Sequence, residues 1–242
     1  MVMTGSKQVL VVIPALNEAP RIGKVIEAVK KNLEHARILV VDDFSRDNTK
    51  QIAEDTGAMV LRHPFHLGYG ATLQTGYKYA LQQGYTGLVQ LDADGQHVAA
   101  YLPRLLGPVK RGEADVVLGS RYAGVGHYEG PLFKKIGSLL FARLASLLAR
   151  QRITDPTSGF RALSKKAIAI CCADSFPTDF PDADTLVHLK RAGLTIMEIG
   201  VEMRASPDKP SMHHGLSQVY YVYKMFLSTL VVMTRGRAKK EN

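Results

Sequence analysis

The sequence predicts an α/β fold with a doubly wound, mostly parallel central sheet and helices on both faces. Three observations predict it. Apolar runs rich in β-branched residues recur through the first half of the chain, as strands buried on both faces require. Segments with apolar residues at helical spacing separate those runs, the alternation of parallel crossover units. A polar cluster follows each run, so five strand ends share one rim, where such sheets bind ligands.

The elements follow in order. QVLVVIP from Gln8 reads as the first strand. The helix from Ala19 to Glu34 carries Ile22, Val25, Ile26, Val29 and Leu33 on one face. ARILVVDD is the second strand, Asn48 to Thr56 a helix and AMVLRH the third strand. A helix from Ala71 to Gln82 leads to the fourth strand, GLVQLDAD. The helix from Ala99 to Arg111 and the strand ADVVLGSR complete the regular half. Leu132 to Arg150 reads as a basic amphipathic helix, DPTSGFRALS as a loop, and Ala183 to Ala192 as a helix. LTIMEIGVEMR reads as one or two strands, and Gln218 to Thr234 as the last helix.

Composition bounds the rest. The chain has 242 residues, 46% hydrophobic and 22% charged, with no linker, repeat or low-complexity segment, which favours one large domain. The net charge of +9 points to anionic partners, or else only to solubility. Cys171 and Cys172 are adjacent and cannot staple a domain, which fits a reducing cytoplasm. Lys7 and the short apolar run ending at Pro14 do not make a signal peptide. No apolar run approaches the roughly 18 to 20 residues of a spanning helix.

The rim carries the chemistry. Asp92 and Asp94, one residue apart at the end of the fourth strand, are aimed to one side by strand alternation and can chelate a hard cation with oxygen ligands, or can be solvated turn residues. Asp42 and Asp43 end the second strand; with Ser45, Asp47 and Asn48 they read as a turn and helix cap, or as half of a nucleotide site. Gly68 and Gly70 precede a helix as a phosphate cradle or a tight turn. Their spacing is not G-x-G-x-x-G, and no GxxxxGK[ST] run is present, so a dinucleotide fingerprint and a P-loop are excluded.

VVIPALNE, VVDDFSRDNT, LGYGATLQTG, LDADGQH, GSRY and DPTSGFR occur in that order. Together, over roughly residues 8 to 225, they resemble family 2 glycosyltransferases of the GT-A fold, nearest the dolichyl- or polyprenyl-phosphate mannose or glucose synthase branch. The resemblance implies a nucleoside subsite at Pro14, Leu16, Glu18, Val41 and Asp43. It implies a Mg²⁺ or Mn²⁺ and diphosphate site at Asp92, Ala93, Asp94 and Gln96. Arg121 and Arg204 would meet phosphate, and Asp184, with Asp182 beside it, stands where relatives carry a carboxylate base; a helix N-terminal charge is the plainer role for both. Two departures stand out. The lysine that follows the Arg204 position in a G-x-S-K-like turn is missing from RASPDKPSMHHG, where Lys209 or His213 are its substitutes. The tyrosine common at the Leu16 position is also absent.

The implied activity is inverting transfer from an NDP-sugar to a polyprenyl phosphate such as dolichyl or undecaprenyl phosphate. A lipid phosphate is already an anion and needs no base, whereas a sugar hydroxyl, the alternative acceptor, does. A nucleotide-sugar or nucleic-acid binding protein is the non-enzymatic alternative; the spread of charge and lack of a nucleic-acid motif argue against nucleic acid. Residues 1–215 read as the catalytic domain. Residues 216–242 read as an amphipathic helix, with Val219, Tyr223, Phe226, Leu230 and Met233 at helical spacing, and a basic tail. That segment either lies in the membrane interface, giving peripheral attachment to the inner face of the cell membrane with room for a membrane partner protein, or packs on the core.

Overall fold

The structure, a computed structural model, describes residues 9–124, 142–174, 176 and 181–204. Seven strands form one sheet: β1 (Val9–Ala15), β2 (Arg37–Asp42), β3 (Met59–Arg62), β4 (Gly87–Gln90), β5 (Val116–Ser120), β6 (Arg161–Ser164) and β7 (Ile196–Gly200). Their order is β3-β2-β1-β4-β6-β5-β7. The β3-β2-β1-β4 half is parallel throughout, and β7 runs parallel to β5. β6 is antiparallel to both of its neighbours.

Strand alternation sorts the core into two layers. Val9, Val11, Ile13 and Ala15 of β1 face one layer, with Ile22, Val25, Ile26 and Val29 of helix α1 (Ala19–Asn32) and Ala53 of α2 (Thr49–Asp55). Leu102, Leu105 and Leu106 of α4 (Leu102–Lys110), which continues a 3-10 turn at Ala99–Tyr101, complete it. Leu10 and Val12 face the other layer, with Leu73, Tyr77 and Ala80 of α3 (Tyr69–Gln82). There Ile168 of α5 (Lys165–Cys171) and Leu186 and Leu189 of α6 (Ala183–Arg191) join them. The sheet is therefore doubly wound, as its apolar periodicity requires. α3 crosses β1 so closely that a Cβ on Gly76 would lie 2.5 Å from Val12 Cγ1.

Two readings of the sequence are corrected. Within DPTSGFRALS, taken as loop, Arg161–Ser164 is β6. It bonds β4 on one side and β5 on the other, so its order comes from two unsatisfied strand edges rather than from its own four residues. The fourth strand ends at Gln90, and Asp92 and Asp94 lie in the turn beyond it. Strand alternation therefore does not aim that pair; the turn and its hydrogen bonds do. α5 has no counterpart among the elements expected from the sequence, and Ser164 caps it by accepting from the Ala167 amide at 3.3 Å. Of the helix expected over Leu132 to Arg150, residues 142–149 are helical and the start lies outside the described residues. The C-terminal helix and Lys209 and His213 lie outside them altogether. Among the described residues, no helix is long and apolar enough to cross a membrane.

Candidate active site

The turns after β1 and β2 are laced together. The Asn17 amide donates to Ser45 Oγ (2.9 Å), and the Arg46 amide donates to Asn17 Oδ1 (2.8 Å). The Glu18 amide donates to Thr49 Oγ1 (2.8 Å), and Asp47 accepts from the amides of Ala19 (3.1 Å) and Thr49 (3.0 Å). Asp47, not Asn48, thus serves the first turn of α2 and also binds the start of α1. This frame holds Leu16 out on the rim at 38% exposure. Pro14 and Val41 are register partners inside the sheet, and both are buried. Glu18 is buried beside Arg21, whose Nε lies 2.7 Å from its Oε2.

Asp43 is the hub of the next loop. Its Oδ1 accepts from His63 Nδ1 (2.8 Å) and the Leu67 amide (2.8 Å). Its Oδ2 accepts from the Gly68 amide (2.9 Å) and sits 2.7 Å from His66 Nδ1. Burial alone would raise its carboxyl, but the His63 bond, the two amides and the His66 charge outweigh burial and hold it below the usual range. The Gly68 φ of 95° turns the chain into α3 there, a conformation that a side chain disfavours. With a carboxylate's roughly four lone-pair sites taken, a base would reach Asp43 by replacing one donor. Of the two histidines, His66 is 60% exposed and His63 only 8%.

Asp92 and Asp94 sit in the turn after β4, with Ala93 buried between them. Tyr69, the first residue of α3, donates its hydroxyl to Asp92 Oδ1 at 2.9 Å. The Asp92 amide donates to His97 Nδ1 (3.0 Å), which puts the ring proton on Nε2, 3.8 Å from Asp92 Oδ2. The His97 ring stacks on Phe160 at 4.8 Å between centroids, and His97 bridges to Met203. Burial is the largest influence on Asp92 and pushes its carboxyl up; Asp94 adds to this, while His97, Tyr69 and Arg161 oppose it. Asp94 accepts from the Gln96 amide (2.9 Å) through Oδ1 and from Gln96 Nε2 (2.6 Å) through Oδ2. Gln96 thus gives its nitrogen to Asp94 and keeps its oxygen as an acceptor.

The loop before β6 presses on this pair. A Cβ on Gly159 would lie 2.9 Å from the Tyr69 hydroxyl and 3.1 Å from Asp92 Oδ2. A side chain there would displace the loop, the Tyr69 hydroxyl or the Asp92 carboxylate. Arg161 is buried and donates to the carbonyls of Ser158 (2.7 Å), Pro181 (2.9 Å) and Pro156 (3.1 Å), with Asp182 Oδ1 3.9 Å away. It ties the loop to the start of α6. Arg121 meets Asp155, 0% exposed, through Nε (2.7 Å) and Nη2 (2.6 Å), and reaches Thr157 Oγ1 at 2.9 Å. Glu198 of β7 in turn accepts from the amides of Thr154 (2.8 Å) and Asp155 (3.1 Å). The Arg121 fork is therefore already docked on a buried carboxylate.

The remaining expected residues are placed as follows. Asp184 is 1% exposed in the first turn of α6, and its Oδ1 accepts the Thr185 amide at 2.7 Å. The Tyr69 hydroxyl is pushed well up, by burial first, then by Asp92 and more weakly by Asp182. Arg204 is exposed, and its amide donates to the Gln96 carbonyl at 2.9 Å, which brings it beside the same turn. Tyr69, His97, Gly159, Arg161 and Asp155 carry the arrangement and had no assigned role in the sequence. Only their membership of the quoted motifs marked them.

No cluster of three or more His, Cys, Asp or Glu side chains arranged to hold a metal occurs among the described residues. A cation here would rest on the two aspartates and on oxygen from a second ligand. That all-oxygen set suits a hard cation that shares its shell with phosphate.

A family model described as "Glycosyl transferase family 2" matches residues 10–170. The undecaprenyl-phosphate mannosyltransferase of Micrococcus luteus is 31% identical over 203 residues, 80% of this chain and 82% of the relative. The UDP-N-acetylglucosamine–dolichyl-phosphate N-acetylglucosaminyltransferase of Methanococcus voltae is 28% identical over 81% of this chain and 85% of its own. Among solved structures, glucosyl-3-phosphoglycerate synthase of Mycobacterium tuberculosis, in complex with Mn²⁺, UDP and glucosyl-3-phosphoglycerate, superposes with a TM-score of 0.67 at 23% identity. The match covers 93% of this chain and 78% of that one, and it speaks for the fold.

Proposed function

The chain belongs to glycosyltransferase family 2, and from that premise we propose that it transfers a sugar, with inversion, from an NDP-sugar to a polyprenyl phosphate in the presence of Mg²⁺ or Mn²⁺. One observation carries the reading. Asp92 and Asp94 share one turn at the rim, Asp92 is held by Tyr69, and a side-chain-free Gly159 lies against them. The donor set is all oxygen, and Gly159 keeps a methyl group out of the space at Asp92 Oδ2. These residues fit a divalent cation, which when bound would offset the charge of the departing diphosphate.

The chain's own groups supply the rest. Leu16 and Asp43 border the nucleoside end, with the base meeting Asp43 where His66 now sits. Gln96 fixes Asp94 on both oxygens. Arg204 and Arg121 bring positive charge to the phosphates, Arg121 from its seat on Asp155. The carboxylate beyond the loop supports the choice of acceptor. Asp184 is buried and engaged with the Thr185 amide, a poor station for a base that must reach an incoming hydroxyl. An acceptor that arrives as an anion needs none, and two relatives carry lipid phosphates in their names. Asp184→Asn separates the acceptors: a lipid-phosphate reaction keeps its rate, and a hydroxyl acceptor loses most of it.

The decisive measurement is a thermal-shift panel of UDP-, GDP- and dTDP-sugars with and without Mn²⁺, since stabilisation follows affinity for the folded state. One nucleotide should stabilise the protein, more so with the cation, and Asp94→Ala should remove the cation's share and the turnover. No shift with any of them, or full turnover in Asp94→Ala, sinks the reading. The division into a catalytic part, 1–215, and an interfacial tail, 216–242, belongs to the same proposal, as does attachment to the inner face of the cell membrane in cell-envelope synthesis. Loss of binding to anionic vesicles on removing 216–242, with donor binding intact, is the expected result.

A further inference from the structure

Tyr69 does something that the aspartate pair alone does not require. Its hydroxyl occupies Asp92 Oδ1 at 2.9 Å. The backbone at Gly159 backs this contact, since a Cβ there would stand 2.9 Å from the hydroxyl and 3.1 Å from Oδ2. His97 holds the Asp92 amide from the other side, and the ring is itself pinned on Phe160. The carboxylate is thus held in one rotation, with one lone pair of Oδ1 taken by Tyr69 and Oδ2 the less engaged oxygen, His97 Nε2 standing 3.8 Å from it. A carboxylate that offers one oxygen suits a six-coordinate cation, while Ca²⁺ takes roughly six to eight oxygens and often uses both oxygens of one carboxylate.

We infer that Tyr69 is a positioning residue that sets cation selectivity: by holding Asp92 Oδ1 it makes Asp92 a one-oxygen ligand and biases the site toward Mg²⁺ or Mn²⁺ and against Ca²⁺. The inference rests on the proposed aspartate–cation site and adds to it the residue that chooses the ion. Tyr69→Phe removes the hydroxyl and keeps the ring. It frees Oδ1, lets Asp92 bind through both oxygens and relaxes the preference.

The test is binding rather than turnover. Mn²⁺ binding to the whole chain is followed by electron paramagnetic resonance in the presence of UDP, GDP or dTDP, and Ca²⁺ is then titrated in as competitor. The native protein should release Mn²⁺ only at a large excess of Ca²⁺. In Tyr69→Phe the excess required should fall on the order of 10-fold, the scale on which a hydrogen-bonded partner tunes a ligand. Equal weakening of both ions, with their ratio unchanged, is the mark of a merely structural tyrosine and overturns the inference while the proposed function stands. If the native protein binds no Mn²⁺ with any of the three nucleotides, while Asp94→Ala behaves identically, both fall together. Should Tyr69→Phe not fold by circular dichroism, the native protein still decides, because Ca²⁺ binding as tight as Mn²⁺ refutes the selectivity.

Discussion

Gly159→Ala is the sharpest single perturbation of this site. Alanine is sterically allowed by the backbone there, because Gly159 is not among the residues with left-handed φ. The added methyl alone is therefore tested. It would stand 2.9 Å from the Tyr69 hydroxyl and 3.1 and 3.4 Å from the two Asp92 oxygens. Either the loop backs away or the Tyr69–Asp92 bond opens. The first costs about 1–3 kcal/mol of overpacking. The second forfeits a hydrogen bond to a charged group, about 1.5–3 kcal/mol. Where the bond opens and its loss falls on the transition state, kcat/KM should fall roughly 10- to 100-fold, because about 1.4 kcal/mol is tenfold. The melting temperature should drop by only about 2–4 °C for each kcal/mol lost in a protein of this size. Steady-state kinetics at saturating Mn²⁺, beside a thermal melt, read both quantities. Kinetics within twofold of the native protein, with the melt unchanged, would show that the loop does not press on the aspartate pair.

Other consequences follow from the same geometry. Asp43→Asn should lower stability at pH 7 by about 1–2 kcal/mol in urea unfolding, since one of its donors, the part-buried Leu67 or Gly68 amide or the buried His63, then faces an NH₂ instead of a carboxylate. Asp43 ionises below the usual range when folded, so its contribution is complete above the unfolded value near 3.8 and is lost as pH falls through the lower folded value. The gap between variant and native protein should thus close only below about pH 3.8; a gap already closing near pH 6 contradicts this. Arg161→Met should cost about 3 kcal/mol or more by stranding the three carbonyls that it serves, and equal unfolding midpoints would dismiss its role as the tie between the loop and α6. Asp155→Asn should loosen Arg121, raising KM for whichever substrate brings the phosphate more than it lowers kcat; a change in kcat alone argues that Arg121 contacts only the transition state.

How much of this was legible in the linear chain varies by element. β1 and β2 announced themselves because a strand covered on both faces must be apolar at nearly every position, and VLVVI and ILVV are. The first-layer face of α1 was legible for the same reason, in its spacing. β6 was not, because four residues between two waiting strand edges need no signal of their own. The aspartate pair was legible as a chemical pattern. Its actual geometry was misjudged, because the turn beyond Gln90, not strand alternation, orients it.

By itself the sequence determined the sheet's class, the shared rim and the family, all of which depend on local periodicity and ordered short motifs. Only the tertiary structure decided who holds the functional groups. Tyr69 reaches Asp92 across 23 residues, Arg121 reaches Asp155 across 34, and Gly159 closes on both Tyr69 and Asp92 from a loop beyond β5. The difference is physical. Burial patterns repeat along the chain and can be read from one segment, whereas a hydrogen bond between distant segments depends on where the sheet order brings their ends together.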